Sequence, residues 1–79
     1  MIEEKGWVIF QKDVGYAKKH KTQYFTVKTK SSLEEIGHIS WYGQWRKYVF
    51  FPDENTLYDS GCLKDIVDFL DALMSERRN

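Results

Sequence analysis

Apolar and polar residues alternate along the first part of this chain in a way that predicts β-strands. Residues 6–10 form a short apolar run and predict a first strand. Residues 11–22 are mostly polar, which indicates a loop or a single helical turn. Residues 23–29 alternate with a period of two, as is typical of a half-buried strand, so Phe25 and Val27 should share one face.

Residues 36–51 predict a β-hairpin that runs up to the only proline of the chain. Gly43 and Gln44 fit a two-residue loop with glycine first, the type II′ turn. This register pairs, on one face, Trp41 with Arg46, Ile39 with Tyr48 and Gly37 with Phe50. On the other face it pairs Tyr42 with Trp45, Ser40 with Lys47, His38 with Val49, and Ile36 with Phe51. Pro52 has no N–H to donate to a ladder, so the strand should end there.

The last quarter of the chain predicts one amphipathic helix. Apolar residues recur at helical spacing and form one stripe, namely Leu63, Ile66, Val67, Leu70, Leu73 and Met74. Cys62 and Phe69 fall on the border of that stripe. Asp59 or Ser60 can cap the first turn. Residues 56–58 are predicted either to add a short strand or to lead directly into the helix.

These elements predict an α+β fold: a small antiparallel sheet of three to five strands with one C-terminal amphipathic helix packed on one face. Residues 1–79 have room for a single domain. The other face of the sheet would then stay open. We expect the helix to cover the face of Ile39 and Tyr48, although the pattern also allows the face of Tyr42 and Trp45 to be the inner one.

Charge is distributed unevenly, although the net charge is zero. Residues 1–51 carry nine Lys and Arg against five Asp and Glu, and residues 52–79 carry three against seven. The total is not that of a dedicated DNA-binding protein. A single cysteine excludes an internal disulfide, and the sequence shows neither a signal peptide nor a membrane span, so we expect a cytoplasmic protein that does not bind membranes.

A string of residues in the hairpin and the helix resembles a family of small uncharacterised proteins found in bacteria, phages and prophages. The string contains Gly37, Trp41-Tyr42-Gly43, Trp45-Arg46, Tyr48, Phe50, Pro52, Cys62-Leu63, Asp65-Ile66 and Phe69. It spans a little under half of the chain. The resemblance implies a shared hairpin-plus-helix unit and an origin in a mobile element, and it supplies no catalytic residue.

Catalytic and metal-binding chemistry finds little support in the sequence. Cys62 with His20 or His38 would need a lowered thiol pKa and a base within hydrogen-bond reach. A cysteine at the border of an apolar stripe is more often a small core residue. One cysteine and two separated histidines lack the ligand spacing of a zinc site. We therefore expect neither an enzyme nor a cofactor.

Charged residues offer two candidate binding surfaces. Lys18, Lys19 and Lys21 form a compact basic loop that can contact phosphates or simply remain solvated. Asp65, Asp68 and Asp71 lie on adjoining turns of the predicted helix. They can form an acidic docking surface or an ordinary solvated helix face.

The hairpin offers the third candidate surface. Its open face would carry His38, Tyr42, Trp45 and Lys47, with Arg46 close by. Aromatic rings beside cations can stack single-stranded nucleic acid, and the same mixture is typical of protein interaction hot spots. Two structural alternatives remain open: the rings can serve packing alone, and Arg46 can form a cation–π pair with Trp41.

Together these features predict a small non-enzymatic binding protein of phage or mobile-element type. We expect it to dock on a host protein and to modulate or inhibit that protein. The alternative is single-stranded nucleic-acid binding through the aromatic and basic sheet face. Homodimers are a further expectation, because the strand at residues 7–10 would pair with a copy of itself if it lies at an edge of the sheet.

Overall fold

The computed structural model describes the backbone of residues 2–4 and 6–78 and the side chains of residues 6–77. Within that part of the chain, five strands precede a long C-terminal helix. The strands are β1 (Ile2–Glu4), β2 (Val8–Lys12), β3 (Tyr24–Thr29), β4 (Glu35–Tyr42) and β5 (Lys47–Pro52). The helices are α1 (Val14–Lys19), between β2 and β3, and α2 (Ser60–Arg78).

The strands form one antiparallel sheet in chain order, β1-β2-β3-β4-β5. Helix α2 packs against one face of it, so the predicted α+β class is confirmed. The strand expected to come first, β2, is an interior strand because β1 pairs with it through Glu3 and Phe10. Strand β1 is short and lacks an apolar alternation, so the sequence pattern did not predict it. The expectation that residues 7–10 lie at a free edge of the sheet is therefore wrong.

A β-bulge in β4 changes the predicted faces at one position. Val27 pairs with Gly37, but Lys28 pairs with Glu35, so Ile36 is an extra residue in the ladder. Ile36 is therefore buried in the core instead of lying on the face of His38, where strict alternation placed it. Its carbonyl accepts hydrogen bonds from the Asp53 N–H at 2.9 Å and from the Tyr58 hydroxyl at 2.6 Å.

The hairpin between β4 and β5 has a longer loop than predicted. Tyr42 pairs with Lys47, so four residues form the turn instead of two. The Tyr42 carbonyl accepts the Trp45 N–H at 3.2 Å, and Arg46, not Gly43, adopts the positive φ, at 54°. The register is shifted by two positions from the predicted one. Because side chains alternate with a period of two, the predicted faces survive this error.

The core lies between α2 and the inner face of the sheet. Phe10 and Ile39 are fully buried there, and the face of Ile39 and Tyr48 is the one that α2 covers, as expected. Phe69 is the centre of the helix contact: its ring stacks on Phe10 with centroids 4.0 Å apart and meets the Phe25 ring edge-on at 4.8 Å.

The helix is therefore turned relative to the predicted stripe. Phe69 was expected at the border of the contact, whereas Leu63 and Val67, expected within it, are about half exposed. The physical reason is that Phe10 and Phe25 together leave room for one large aromatic ring, and burying that ring gains more than burying a valine.

Residues before α2 connect the sheet to the helix without adding a strand. Asp59 caps α2 through a hydrogen bond from the Cys62 N–H to Oδ1 at 2.9 Å, as predicted for one of two alternatives. The backbone N–H of Trp7 donates to Oδ2 of Asp65 at 2.9 Å. The indole ring of Trp7 lies against Gly61. The guanidinium over the Trp41 ring is that of Arg77, at 4.0 Å, and not that of Arg46, which the sequence had offered as one alternative.

Candidate functional site: an aromatic row on the open face of the sheet

The sheet face opposite α2 carries aromatic rings that cross three neighbouring strands. The His38 ring is stacked between Tyr24 of β3 and Phe51 of β5, with centroid distances of 5.0 and 4.7 Å. The planes differ by only 10° and 13°. These distances match the spacing of adjacent strands. The three rings therefore stand side by side and cover each other's faces.

The row continues beyond these three rings at both ends. Tyr16 on α1 lies 5.3 Å from Tyr24 and stacks on His20 at 4.0 Å. At the other end, Tyr42 lies 6.3 Å from Phe51 and meets Trp45 edge-on at 5.1 Å. We call this set the aromatic row; its members are His20, Tyr16, Tyr24, His38, Phe51, Tyr42 and Trp45.

The hairpin end of the row forms a shallow apolar pocket of about 290 Å³. Its lining residues are Tyr42, Trp45, Val49, Phe50 and Phe51. Trp45 is 65% exposed, and the Tyr42 hydroxyl donates to Oε1 of Gln44 at 2.8 Å, which holds its ring in place. Arg46 and Lys47 are exposed beside this pocket. We call the pocket residues, together with Arg46 and Lys47, the hairpin patch.

The other end of the row lies at α1. Asp13 caps this helix by accepting the Tyr16 N–H at 2.9 Å, which positions the Tyr16 ring. Lys18, Lys19 and Lys21 are exposed beside His20. The fold thus places the predicted basic loop and the predicted hairpin surface at the two ends of one aromatic row.

The acidic residues of α2 lie on the opposite side of the molecule. Asp65 accepts a hydrogen bond from the backbone N–H of Trp7. Asp68 and Asp71 are exposed on the helix. Since α2 covers the inner face of the sheet, these carboxylates are separated from the aromatic row.

The surroundings of Tyr24 and Cys62 shift the pKa of each side chain. Burial raises the pKa of the Tyr24 phenol, and the nearby carboxylates of Glu35 and Asp13 raise it further, so this ring stays neutral well above neutral pH. Burial likewise raises the pKa of the Cys62 thiol, with the carboxylate of Asp59 adding to the effect. A raised thiol pKa is the opposite of what a cysteine nucleophile needs.

Cys62 and the two histidines lie on different sides of the sheet. Cys62 packs against the core from α2, whereas His20 and His38 belong to the aromatic row. Among the side chains that the structure describes, no three His, Cys, Asp or Glu residues come together as metal ligands would. Neither α1 nor α2, as described, has the length and apolar character needed to cross a membrane.

Four members of the aromatic row were not among the predicted site residues: Tyr16, His20, Tyr24 and Phe51. Tyr24 and Phe51 could have been found from period-two alternation once β3, β4 and β5 were taken as neighbours, because they then share the face of His38. Tyr16 and His20 offered no such signal, since their place depends on how α1 folds back beside β3.

The fold and this site define a small α+β protein whose sheet is covered by a helix on one face and lined with aromatic rings on the other. The chain belongs to the family of an uncharacterised 9.3 kDa protein of Acholeplasma phage L2. The two are 34% identical over 58 residues, which make up 73% of this chain and 74% of the phage protein. No family model matches the chain. Neither does a solved structure.

Proposed function

We propose that this protein binds a protein of the host cell through the hairpin patch and modulates that protein without catalysis. The observation that supports this most directly is Trp45, a tryptophan 65% exposed at the wall of an apolar pocket, with Arg46 and Lys47 beside it. Tryptophan, tyrosine and arginine are the residues most enriched among interface hot spots.

The patch is also ordered before any partner arrives. Tyr42 is held by its hydrogen bond to Gln44 and by edge-on contact with Trp45. A preordered ring loses less conformational entropy on binding than a mobile one. A partner that inserts an apolar side chain into the pocket would therefore lose less binding free energy to ordering the patch.

The packing of the row favours a protein partner over a nucleic acid. A base stacks on a free ring face. In the middle of the row, Tyr24, His38 and Phe51 already cover each other's faces and present edges. A concave apolar pocket, by contrast, suits a protruding protein side chain.

The positive charges beside the pocket indicate what kind of partner surface would fit it. Arg46 and Lys47 lie beside the pocket, so the best complement is an apolar anchor flanked by Asp or Glu. The phage origin of the relative supports a target in the host cell, and occupation of an acidic surface on that target would inhibit whatever normally binds there.

The test replaces Trp45 by Ala and uses Leu57→Ala as the matched control, because Leu57 is 95% exposed and lies outside the patch. Tagged wild-type and variant proteins are used for affinity capture from nuclease-treated host lysate, with mass spectrometry of what is retained. Wild type and Leu57→Ala should retain the same protein. Trp45→Ala should bind it at least about 30-fold more weakly, corresponding to about 2 kcal/mol or more. Equal retention by Trp45→Ala would contradict the proposal.

A second candidate, single-stranded nucleic-acid binding, is favoured by the basic end of the row. Lys18, Lys19 and Lys21 stand beside the Tyr16–His20 stack, where phosphates could be neutralised while a base stacks on the outermost ring. Titration with single-stranded oligonucleotides at two salt concentrations tests it. Binding that weakens with salt and is lost in Lys18→Glu would support this candidate, whereas absent or salt-independent binding rejects it.

A further inference from the structure

Helix α2 carries an apolar stripe that the core covers only in part, since Leu70 and Met74 also pack against the core. Leu63 is 48% and Val67 52% exposed, and Leu70 and Met74, half-buried, continue the stripe. The steps between the four residues are four, three and four, the spacing of a coiled-coil seam. At about 100° per residue, this stripe is turned roughly a quarter of the helix circumference from the mean direction of the core residues Ile66, Phe69 and Leu73, and roughly 130° from Phe69 itself. We call these four residues the α2 seam.

The seam lies beside the edge strand β5, and the two form a groove. Val67, Leu70, Asp71 and Met74 line one side and Lys47 and Tyr48 the other. The Tyr48 N–H donates to the Met74 sulfur at 3.4 Å, so it is not free to pair with an added strand. Pro52, at the end of the same edge, has no N–H. A groove of this kind suits a helix better than a strand.

Charges on one flank of the seam make α2 complementary to itself. Lys64 and Asp71 stand seven residues apart on the same side of the stripe, and both are exposed. When a second α2 lies antiparallel across the first, Lys64 of each copy comes opposite Asp71 of the other. An isologous contact of this type forms both pairs at once.

We propose that two copies of this chain pair through the α2 seam, with the helices antiparallel about a two-fold axis near the middle of α2. The occupant of the groove is thus a second copy. Helix α2 has 19 residues, or about 28 Å of length, so the contact is at the small end of specific interfaces and we expect a weak dimer. The seam lies away from the aromatic row, so this pairing does not rest on the proposed docking function.

The first experiment measures the association state of the purified full chain by sedimentation equilibrium over a wide range of concentration. Wild type should show a monomer–dimer equilibrium. Val67→Glu should weaken it by about tenfold or more, since a carboxylate would be buried in the seam. Leu57→Glu makes the same kind of change at a site outside the seam and should leave the equilibrium unchanged. A monomeric wild type at every concentration, or a Val67→Glu variant that dimerises normally, would overturn the proposal.

A charge exchange tests the antiparallel arrangement. Lys64→Glu and Asp71→Lys should each weaken the dimer about three- to tenfold by bringing like charges together. The double variant restores opposite charges and should recover the wild-type equilibrium. In a parallel pair the two-fold axis runs along the helices and puts this flank of the two copies on opposite sides of the contact, so Lys64 and Asp71 would not meet and the single variants would leave the dimer unchanged. Single variants without effect, or a double variant that fails to recover, exclude the antiparallel arrangement. Circular dichroism confirms that each variant is folded.

Discussion

At the scale of single residues, two glycines show how the same substitution can change the free energy of unfolding by different amounts. A Cβ at Gly37 would lie 2.5 Å from the Phe51 carbonyl and 2.8 Å from the Phe50 ring. That carbonyl belongs to the sheet backbone and cannot move without disturbing the β4–β5 ladder. Gly37→Ala should therefore lower the free energy of unfolding by about 1–3 kcal/mol, as measured by urea denaturation.

Gly61 provides the matched control. A Cβ there would lie 2.5 Å from Nε1 of Trp7, but Trp7 is 59% exposed and its ring can swing away. Alanine also favours the helix by about 0.5–1 kcal/mol. Gly61→Ala should therefore change stability little while altering the tryptophan fluorescence. Equal destabilisation by both substitutions would contradict this. It would show that the distance from the new Cβ to its neighbour alone determines the loss of stability, whether or not that neighbour can move.

Cys62 should behave as an unreactive thiol. Burial, and then the Asp59 carboxylate, raise the pKa of its thiol, so the thiolate is scarce at pH 8. Alkylation by iodoacetamide should be severalfold slower in the folded protein than in the same chain in denaturant. Because the folded pKa is above that of the unfolded chain, the associated stability is present below the ordinary thiol pKa of about 8.5 and lost as the pH rises through the folded value. An equal rate in both states would contradict this.

At the scale of elements, the orientation of α2 predicts which of its residues hold the fold together. Phe69 is 2% exposed and packs on Phe10 and Phe25. Phe69→Ala should lower the free energy of unfolding by about 3–5 kcal/mol. Val67 is half exposed, so Val67→Ala should cost less than about 1 kcal/mol at low protein concentration. Urea denaturation of both variants compares them directly, and the reverse order would place the helix as the sequence pattern alone predicted.

At the scale of the whole molecule, dimer formation couples stability to concentration. If the α2 seam pairs two copies, the native state is stabilised by mass action. Once the protein is mostly dimeric, a tenfold rise in concentration stabilises the native state by about 1.4 kcal/mol per dimer, or about 0.7 kcal/mol per chain. This corresponds to a Tm increase of roughly 3–5 °C. Thermal melts at several concentrations should show this for wild type, and for Val67→Glu only at concentrations about tenfold higher or more.

The two proposed surfaces also belong to the molecule as a whole. The hairpin patch lies on the open face of the sheet, and the α2 seam lies on the helix that covers the other face. A dimer through the seam would leave Trp45 and the apolar pocket of each patch free, although Lys47 also lines the seam groove, and it would present two such pockets. Two linked patches can raise the apparent affinity for a multimeric target without any new contact.

Local patterns in the sequence were enough to predict much of this fold. Alternation put Phe25 and Val27 inside, the imino nitrogen of Pro52 ended β5, and the carboxylate of Asp59 began α2. Even the incorrect loop length left the faces of the hairpin right, because the register error was an even number of residues. These features depend on residues close together in the chain, where spacing alone limits the geometry.

Tertiary structure decided the rest, because each of these features depends on residues far apart in the chain. Ile36 turns inward only because β3 and β4 pair with a bulge. Phe69 becomes the centre of the helix contact only because Phe10 and Phe25 meet in the sheet. The aromatic row exists because three strands and α1 bring their rings to one face. Hydrophobicity and spacing determine which residues prefer to be buried, but the shape of the facing surface determines which of them pack together.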